Sequence, residues 1–398
     1  MCDATSCPNG CCNGKICVPY ASETSASCGA AGAACAACAT NVACNTGLCL
    51  GCGSFVKLTA GGAGSTTERF GSAVSLNAGN LFVAAHGEAS NVGWVYTFAG
   101  AGATWSSTGT IFPGNAMSFG DSVSVSGSNA IVSGISSSGT SGAIYPLNKT
   151  GNSWFEGAAI SPADATNTSN APSVALDGTA ILSVSLHSAS IYSTSGGAAQ
   201  ATFTPDFDTA SGYFGRAAIS GSTALVGAEQ LASDGQLAHF GYLYTRTGST
   251  WSTTPTKLIP SDLASNSSPH FYWSLALDSD TAVLATSGGA YIFTLSGSNW
   301  IPSQKLTAVN ANFGGAVALS GNLLAISDGG GDQGFGHVYL YGRSGGTWIA
   351  GPTLSGSTSA GDDFGWSLAT DGTTLAVGAP LALATGGQGA VYVFACQP

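Results

Sequence analysis

The chain repeats itself, and this restricts its fold more than any other feature. Aligned by eye, it gives "FGSAVSLNAGNLFVAA", "FGDSVSVSGSNAIVSG", "PSVALDGTAILSVS", "FGRAAISGSTALVGA", "FYWSLALDSDTAVLAT", "FGGAVALSGNLLAISD" and "FGWSLATDGTTLAVGAP". The segments begin at Phe70, Phe119, Pro172, Phe214, Phe271, Phe313 and Phe364, making seven units of 42 to 57 residues. A period of this length marks small units that bury their apolar faces only against their neighbours.

Each unit opens with two apolar runs joined by a tight turn such as Asp-Gly, Ser-Gly or Gly-Asn, the signal of a β-hairpin. A third strand follows a variable loop, seen as "GWVYTF", "GAIYPL", "GYLYTR", "GAYIFTL", "GHVYLY" and "GAVYVF". Most units then carry a turn with Trp105, Trp154, Trp251, Trp300 or Trp348 and a fourth strand such as "TKLIPS" or "QKLTAV". Four antiparallel strands in each of seven units predict an all-β chain folded as a seven-bladed β-propeller. The Trp residues are read either as packing between blades or as platforms for sugar rings.

"FG" opening the first strand, "VGAP" closing the second at Val377 to Pro380 and "GAVYVF" as the third resemble the FG-GAP repeats of integrin-α-type propellers. The resemblance covers about residues 54 to 396 and is weakest in the third unit, which lacks FG. It implies an adhesion or binding role, with Phe packing between blades and Gly letting strands approach closely. It does not carry calcium with it. The turns "NAGN", "SGSN", "DGT", "DSD" and "TDGT" are too short to supply the six to eight oxygens that calcium takes. Asp177, Asp278, Asp280 and Asp371 are read as turn residues.

The last unit stops after its third strand, "AVYVFACQP", while "SFVKLTA" at 54 to 60 contains the "KLTA" seen again as an outer strand at 305 to 308. The N-terminal strand 54–60 is therefore expected to complete the last blade and close the ring, which removes exposed edges. Cys396 then follows the third strand of that blade and Cys52 precedes its fourth, so the two are expected to form a disulfide. The expected division is a cysteine-rich module over 1–53 and the propeller over 54–398.

Eleven of the 12 cysteines lie within residues 2 to 52. The spacing from Cys2 to Cys28 resembles a cystine-knot framework, and "CGAAGAACAACATNVACNTGLC" is similar to cysteine-rich segments of myxobacterial surface proteins. The knot resemblance implies Cys2–Cys12, Cys7–Cys17 and Cys11–Cys28, leaving Cys35, Cys38, Cys44 and Cys49 for two further bridges. Spacing alone does not fix connectivity. Zinc is the rival for "CAAC" and "CLGC". The adjacent Cys11-Cys12 pair, the even total and the lack of nearby His favour oxidation outside the cell.

Nine basic residues against twenty acidic ones give a net charge of −11, which argues against a nucleic-acid partner. No apolar run is long enough for a membrane span. Met1-Cys2 lacks a signal peptide's flanks, and Met1 is read as a start residue ahead of a mature sequence, a lipidated Cys2 being the alternative. The chain is expected to be secreted or on the cell surface.

The loops between second and third strands hold the candidate ligand-binding carboxylates Glu88, Glu229, Asp234, Asp328 and Asp332, on one propeller face. These are read either as solvated loop residues or as ligands for a metal or sugar hydroxyls. "GRSGG" at 342 to 346 and "GGGDQG" at 329 to 334 match a nucleophile elbow and a dinucleotide fingerprint, but both lack the following helix that such chemistry needs. His86, His187, His239, His270 and His337 show no metal-ligand spacing, so no catalytic residue, metal or cofactor is assigned. The function expected is a non-enzymatic module that recognises a glycan or a surface protein. The alternatives are a polysaccharide lyase or glycosidase and a structural subunit of a matrix or filament. An enzyme would need convergent carboxylates or a His, Tyr and Arg set near the axis, where first-strand residues are mainly Ser, Ala, Val and Leu.

Overall fold

A computed structural model describes residues 2–397 apart from 31, 39–41, 46–47, 61–68, 87–91, 113–115, 137–138, 140, 163–170, 208–211, 232–236, 261–273, 287–288, 310–311, 329–335, 357–360 and 383–388. It shows seven antiparallel sheets around an axis, preceded by a disulfide-rich region. Blade 1 comprises Phe70–Asn77, Asn80–Ala85, Trp94–Ala101 and Thr104–Ile111. Blades 2 to 6 follow in chain order, with first strands Val123–Ser126, Ser173–Asp177, Gly212–Ser220, Ser274–Asp278 and Val317–Ser320. Blade 7 combines Ser367–Thr370, Thr374–Ala379 and Ala390–Gln397 with an outer strand from the other end of the chain, Leu48–Leu58.

The repeated Phe is the anchor of each unit. Phe70, Phe119, Phe214, Phe313 and Phe364 are all fully or almost fully buried. Each meets a third-strand tyrosine of its own blade edge to face, with centroids 5.3 to 5.5 Å apart in Phe70–Tyr96, Phe119–Tyr145, Phe214–Tyr242, Phe313–Tyr339 and Phe364–Tyr392. The surrounding clusters join two neighbouring blades. Phe364, for example, packs with Leu323 and Val338 of blade 6 as well as Val377 and Tyr392 of blade 7.

The glycine that follows is equally constrained. Gly71, Gly120, Gly314 and Gly365 adopt φ values of 91 to 108°, where a side chain is strained, and a Cβ on Gly314 would lie 2.5 Å from the Thr286 carbonyl oxygen. A second glycine, the one opening the third strand of the preceding blade, receives the Phe backbone. A Cβ on Gly93, Gly336 or Gly389 would lie 2.0, 1.8 or 2.2 Å from the carbonyl oxygen of Phe119, Phe364 or Phe70, respectively. Phe271 lies outside the described residues. Blade 3 lacks the FG pair, and Ile131, Ile144 and Ile160 fill its junction with blade 2.

First strands border the axis and do not pair with one another, so their outward-facing backbone groups need other partners. Serines supply them. The Oγ atoms of Ser75, Ser124 and Ser173 accept from the backbone N–H groups of Val125, Leu176 and Ala217 in the next blade, at 3.0 to 3.2 Å. At the turns the same link recurs: Asn77 accepts from Gly127 N–H, Ser126 from Gly178, Asp177 from Gly221 and Asp278 from Gly321. Asp371 accepts from the N–H groups of Thr373 and Thr374 in its own turn, and Asp280 pairs with Arg343 of blade 6 at 2.8 Å. These aspartates clasp turns and neighbouring blades.

In the seam blade, Val391 stands opposite Leu58 and Cys396 opposite Cys52, and Cys52 is bridged to Cys396 across 344 residues of chain. Leu48–Leu58 also extends beyond the blade to pair with Ala43–Asn45, so one strand belongs to both the seam and the cysteine-rich region. Leu50 is fully buried against blade 6, where Gly351 leaves room for it, and Asn45 donates to the Ala350 carbonyl at 2.6 Å.

The cysteine-rich region corrects the knot expectation in part. Cys2–Cys12 and Cys7–Cys17 are present, but Cys11 pairs with Cys35, Cys28 with Cys44 and Cys38 with Cys49. Backbone contacts explain the difference. Cys12 donates to Ala33 and accepts from Cys35, which lays residues 33–35 beside Cys11, while Cys28 exchanges hydrogen bonds with Ala36 and so stands clear of Cys11. All 12 cysteines are oxidised, which leaves no thiolate for zinc.

Two outcomes test this account. Removing the seam bridge by Cys52→Ser with Cys396→Ser should lower the unfolding free energy by about 2–5 kcal/mol in denaturant titration. Gly336→Ala should cost about 1–3 kcal/mol, although it adds one methyl group, because that group would strike the Phe364 backbone.

Candidate functional site

Of the carboxylates predicted to bind a ligand, the two among the described residues, Glu229 and Asp328, sit in different blades. Glu88, Asp234 and Asp332 lie outside the described residues. Glu229 and Asp328 are both 2% exposed and sit in blades 4 and 6. Each is beside a histidine of its own blade. Asp328 Oδ1 accepts from the backbone N–H of His337 at 2.8 Å, and its Oδ2 lies 2.9 Å from His337 Nδ1. Glu229 Oε2 lies 3.5 Å from His239 Nδ1, in a cross-strand row of Tyr213, Glu229 and His239.

Burial governs that row. It raises the Glu229 carboxyl above its ordinary value, lowers the His239 imidazole, and raises the Tyr213 phenol, to which the neighbouring Glu229 charge adds. The folded state thus holds the Glu229 proton more tightly than the unfolded chain does. The stability this group contributes is full below about pH 4.5 and is lost as pH rises through the elevated folded value. His239 acts in the opposite sense, its contribution being lost as pH falls through the range below 6.5.

A different site forms on the axis. A cavity of about 530 Å³ opens where the first strands begin and the second strands end, within the size range of small-ligand pockets. Its architecture follows from the repeat. The residue after each FG pair lies at the rim: Ser72, Asp121, Arg216, Gly315 and Trp366. The next residue forms a deeper ring that is uniformly small: Ala73, Ser122, Ser173, Ala217, Ser274, Ala316 and Ser367. Below these lie apolar residues such as Val74, Val123, Leu275, Val317 and Leu368.

Many of the serines are already engaged. Ser122 Oγ donates to the Val174 carbonyl and Ser367 Oγ to that of Gly71, while Ser72 Oγ accepts from His86 N–H. At the rim, Arg69, His86 and Asp363 join Asp121, Arg216 and Trp366. His86 Nε2 lies 3.9 Å from Asp121 Oδ1, an electrostatic contact longer than a hydrogen bond. Withdrawal from bulk water raises the Asp121 carboxyl, and the charges of His86 and Arg216 oppose that rise. On the blade 7 side, Trp366 and Leu381 are each 44% exposed and add apolar surface beside the charged groups.

Ser, Ala, Val and Leu line the axis as expected from the sequence, but this rim was not expected. The signal was present in the alignment: the position after FG varies from Gly to Trp, while its neighbours on both sides hardly change. Fourth-strand tryptophans are packing residues in the structure. Trp154 meets Phe82 of blade 1 edge to face at 4.8 Å, and Trp251 and Trp348 are buried.

Comparison with known proteins agrees with the architecture. Residues 355–394 match the FG-GAP repeat family, from the end of the blade 6 outer strand Thr347–Ser355 into the third strand of blade 7. No curated protein sequence matches the chain. In structure the chain is similar to the Cps50 (Swd1) β-propeller domain of Myceliophteria thermophila, with 12% identity over 87% of this chain and 99% of that one and a TM-score of 0.54. It is also similar to a prolyl endopeptidase, with 13% identity, a TM-score of 0.51 and coverage of 78% of this chain and 45% of that one. The chain thus spans 45% of that enzyme's length, and both likenesses are of fold alone.

Replacing Glu229 by Gln removes a buried acid that favours its neutral form. Thermal unfolding measured from pH 5 to 8 should show less loss of stability with rising pH in Glu229→Gln than in the parent chain.

Proposed function

We propose that this propeller, whose last blade carries an FG-GAP repeat, is an extracellular non-enzymatic binding module that takes the end of a glycan into its axial cavity. The observation that carries this reading is the rim: an exposed Trp366 lines the same cavity as side chains that donate and accept hydrogen bonds, with small residues beside them. Sugars present both an apolar ring face and a ring of hydroxyl groups, and such a rim addresses both. Six disulfides, with no thiol left free, fit an oxidising compartment and a secreted or cell-surface location. Among the described residues no helix is long and apolar enough to cross a membrane.

A second reading is an enzyme acting on polysaccharide, favoured by the convergence of Asp121, Asp363, His86 and two arginines at one mouth. Binding ranks first because the His86–Asp121 contact of 3.9 Å does not orient a base as a hydrogen bond would. Incubation with a panel of polysaccharides, followed by assay for new reducing or unsaturated ends, separates the two.

On a glycan array the intact protein should bind a defined set of structures. Trp366→Ala should weaken that binding by about tenfold or more, from the loss of one stacking surface, with unchanged thermal unfolding. An array with no binding removes the glycan reading.

A further inference from the structure

The basic residues of this chain are few, and their placement is uneven. There are nine in 398 residues, eight of them outside the N-terminal module. Six of those eight are committed to the scaffold. Lys57, Lys149, Arg246 and Lys305 stand 5.0 to 5.7 Å over the rings of Tyr392, Trp154, Trp251 and Tyr291. Lys257 pairs with Asp206 at 2.9 Å, and Arg343 forks onto Asp280 through both terminal nitrogens. The other two, Arg69 and Arg216, are exposed, form no ion pair with a described residue, and both line the axial cavity.

Two guanidinium groups balance Asp121 and Asp363 in the cavity lining, so the site carries no net charge in a protein of net charge −11. An anion therefore meets less repulsion at the cavity than over the acidic remainder of the surface. The planar fork of arginine matches a carboxylate through two parallel hydrogen bonds. Arg69 precedes the FG pair of blade 1 and Arg216 follows that of blade 4, three blades around the ring, so they reach the cavity from different sides. Trp366 on blade 7 adds a stacking face to the same cavity.

We infer that the axial cavity selects acidic sugars: it takes the end of a uronate-bearing chain, with carboxylates on Arg69 and Arg216 and a ring face on Trp366. This rests on the glycan reading above and narrows it to one ligand chemistry. Asp121 and Asp363 temper the field and set a limit on affinity. Asp121 Oδ1 lies 3.9 Å from His86 Nε2, and its carboxyl is raised above the ordinary aspartate value.

Titration calorimetry on the full chain tests the inference, using trisaccharides of galacturonate, glucuronate and mannuronate, their methyl esters and a sulfated neutral trisaccharide. At least one acid should bind, its ester at least about tenfold more weakly. Arg69→Gln and Arg216→Gln should each weaken the acid about tenfold or more, and Asp121→Asn should tighten it several-fold. Both arginines are exposed, so equal thermal unfolding of the variants establishes that folding is intact. Equal binding of acid and ester, equal binding of the sulfated sugar, or an absence of effect in both arginine variants overturns the inference and leaves glycan binding standing. Failure of all three acids overturns it as well, and the array then decides separately whether the glycan reading falls with it.

Discussion

The ring depends on one contact, the seating of each Phe-Gly corner on the preceding blade. Phe364 buries its ring between blades 6 and 7 and lays its carbonyl where Gly336 has no side chain. The next residue, Gly365, takes a φ of 91°, which turns the chain into the first strand. Nearly the same geometry recurs at Phe70 on Gly389 and Phe119 on Gly93, including across the seam where the ends of the chain meet. A bulky side chain at either glycine would separate blades, because packed interiors have little room to yield.

The same corner builds the candidate site. Once Phe is buried and Gly has turned the chain, the following side chain is directed to the mouth of the axis, where it packs on little and is free to vary. Asp121, Arg216 and Trp366 occupy that position. The next position is kept small by the convergence of seven strands, and its serines satisfy backbone groups that the unpaired inner edges would otherwise leave bare. A floor of small residues under a rim that differs from blade to blade is therefore a consequence of the repeat.

Closure ties the N-terminal region to this frame. The strand Leu48–Leu58 completes blade 7 and also pairs with Ala43–Asn45, while Leu50 and Asn45 contact blade 6. The cysteine-rich region is thus held by strand continuity, a buried leucine and the adjacent Cys52–Cys396 bridge. Its own bridges follow backbone proximity: residues 33–36 run beside Cys11-Cys12 and Cys28, which gives Cys35 to Cys11 and Cys44 to Cys28.

The sequence by itself determined the number of blades, the four-stranded plan and the predominance of Ser, Ala, Val and Leu on the axis. These rest on periodicity and turn chemistry, which are local and repeat seven times. Tertiary structure decided the rest. The pairing of Cys11 with Cys35 rather than Cys28 depends on how a segment without regular repeats folds back, which spacing does not encode. Glu229 and Asp328, read from sequence as loop carboxylates, are buried beside His239 and His337 because the second and third strands extend far enough to enclose them. Arg69, Arg216 and Trp366 are distant in sequence and unremarkable one at a time. Only closure of the ring brings them to one cavity, because residues in different blades become neighbours through the axis and through nothing local in the chain.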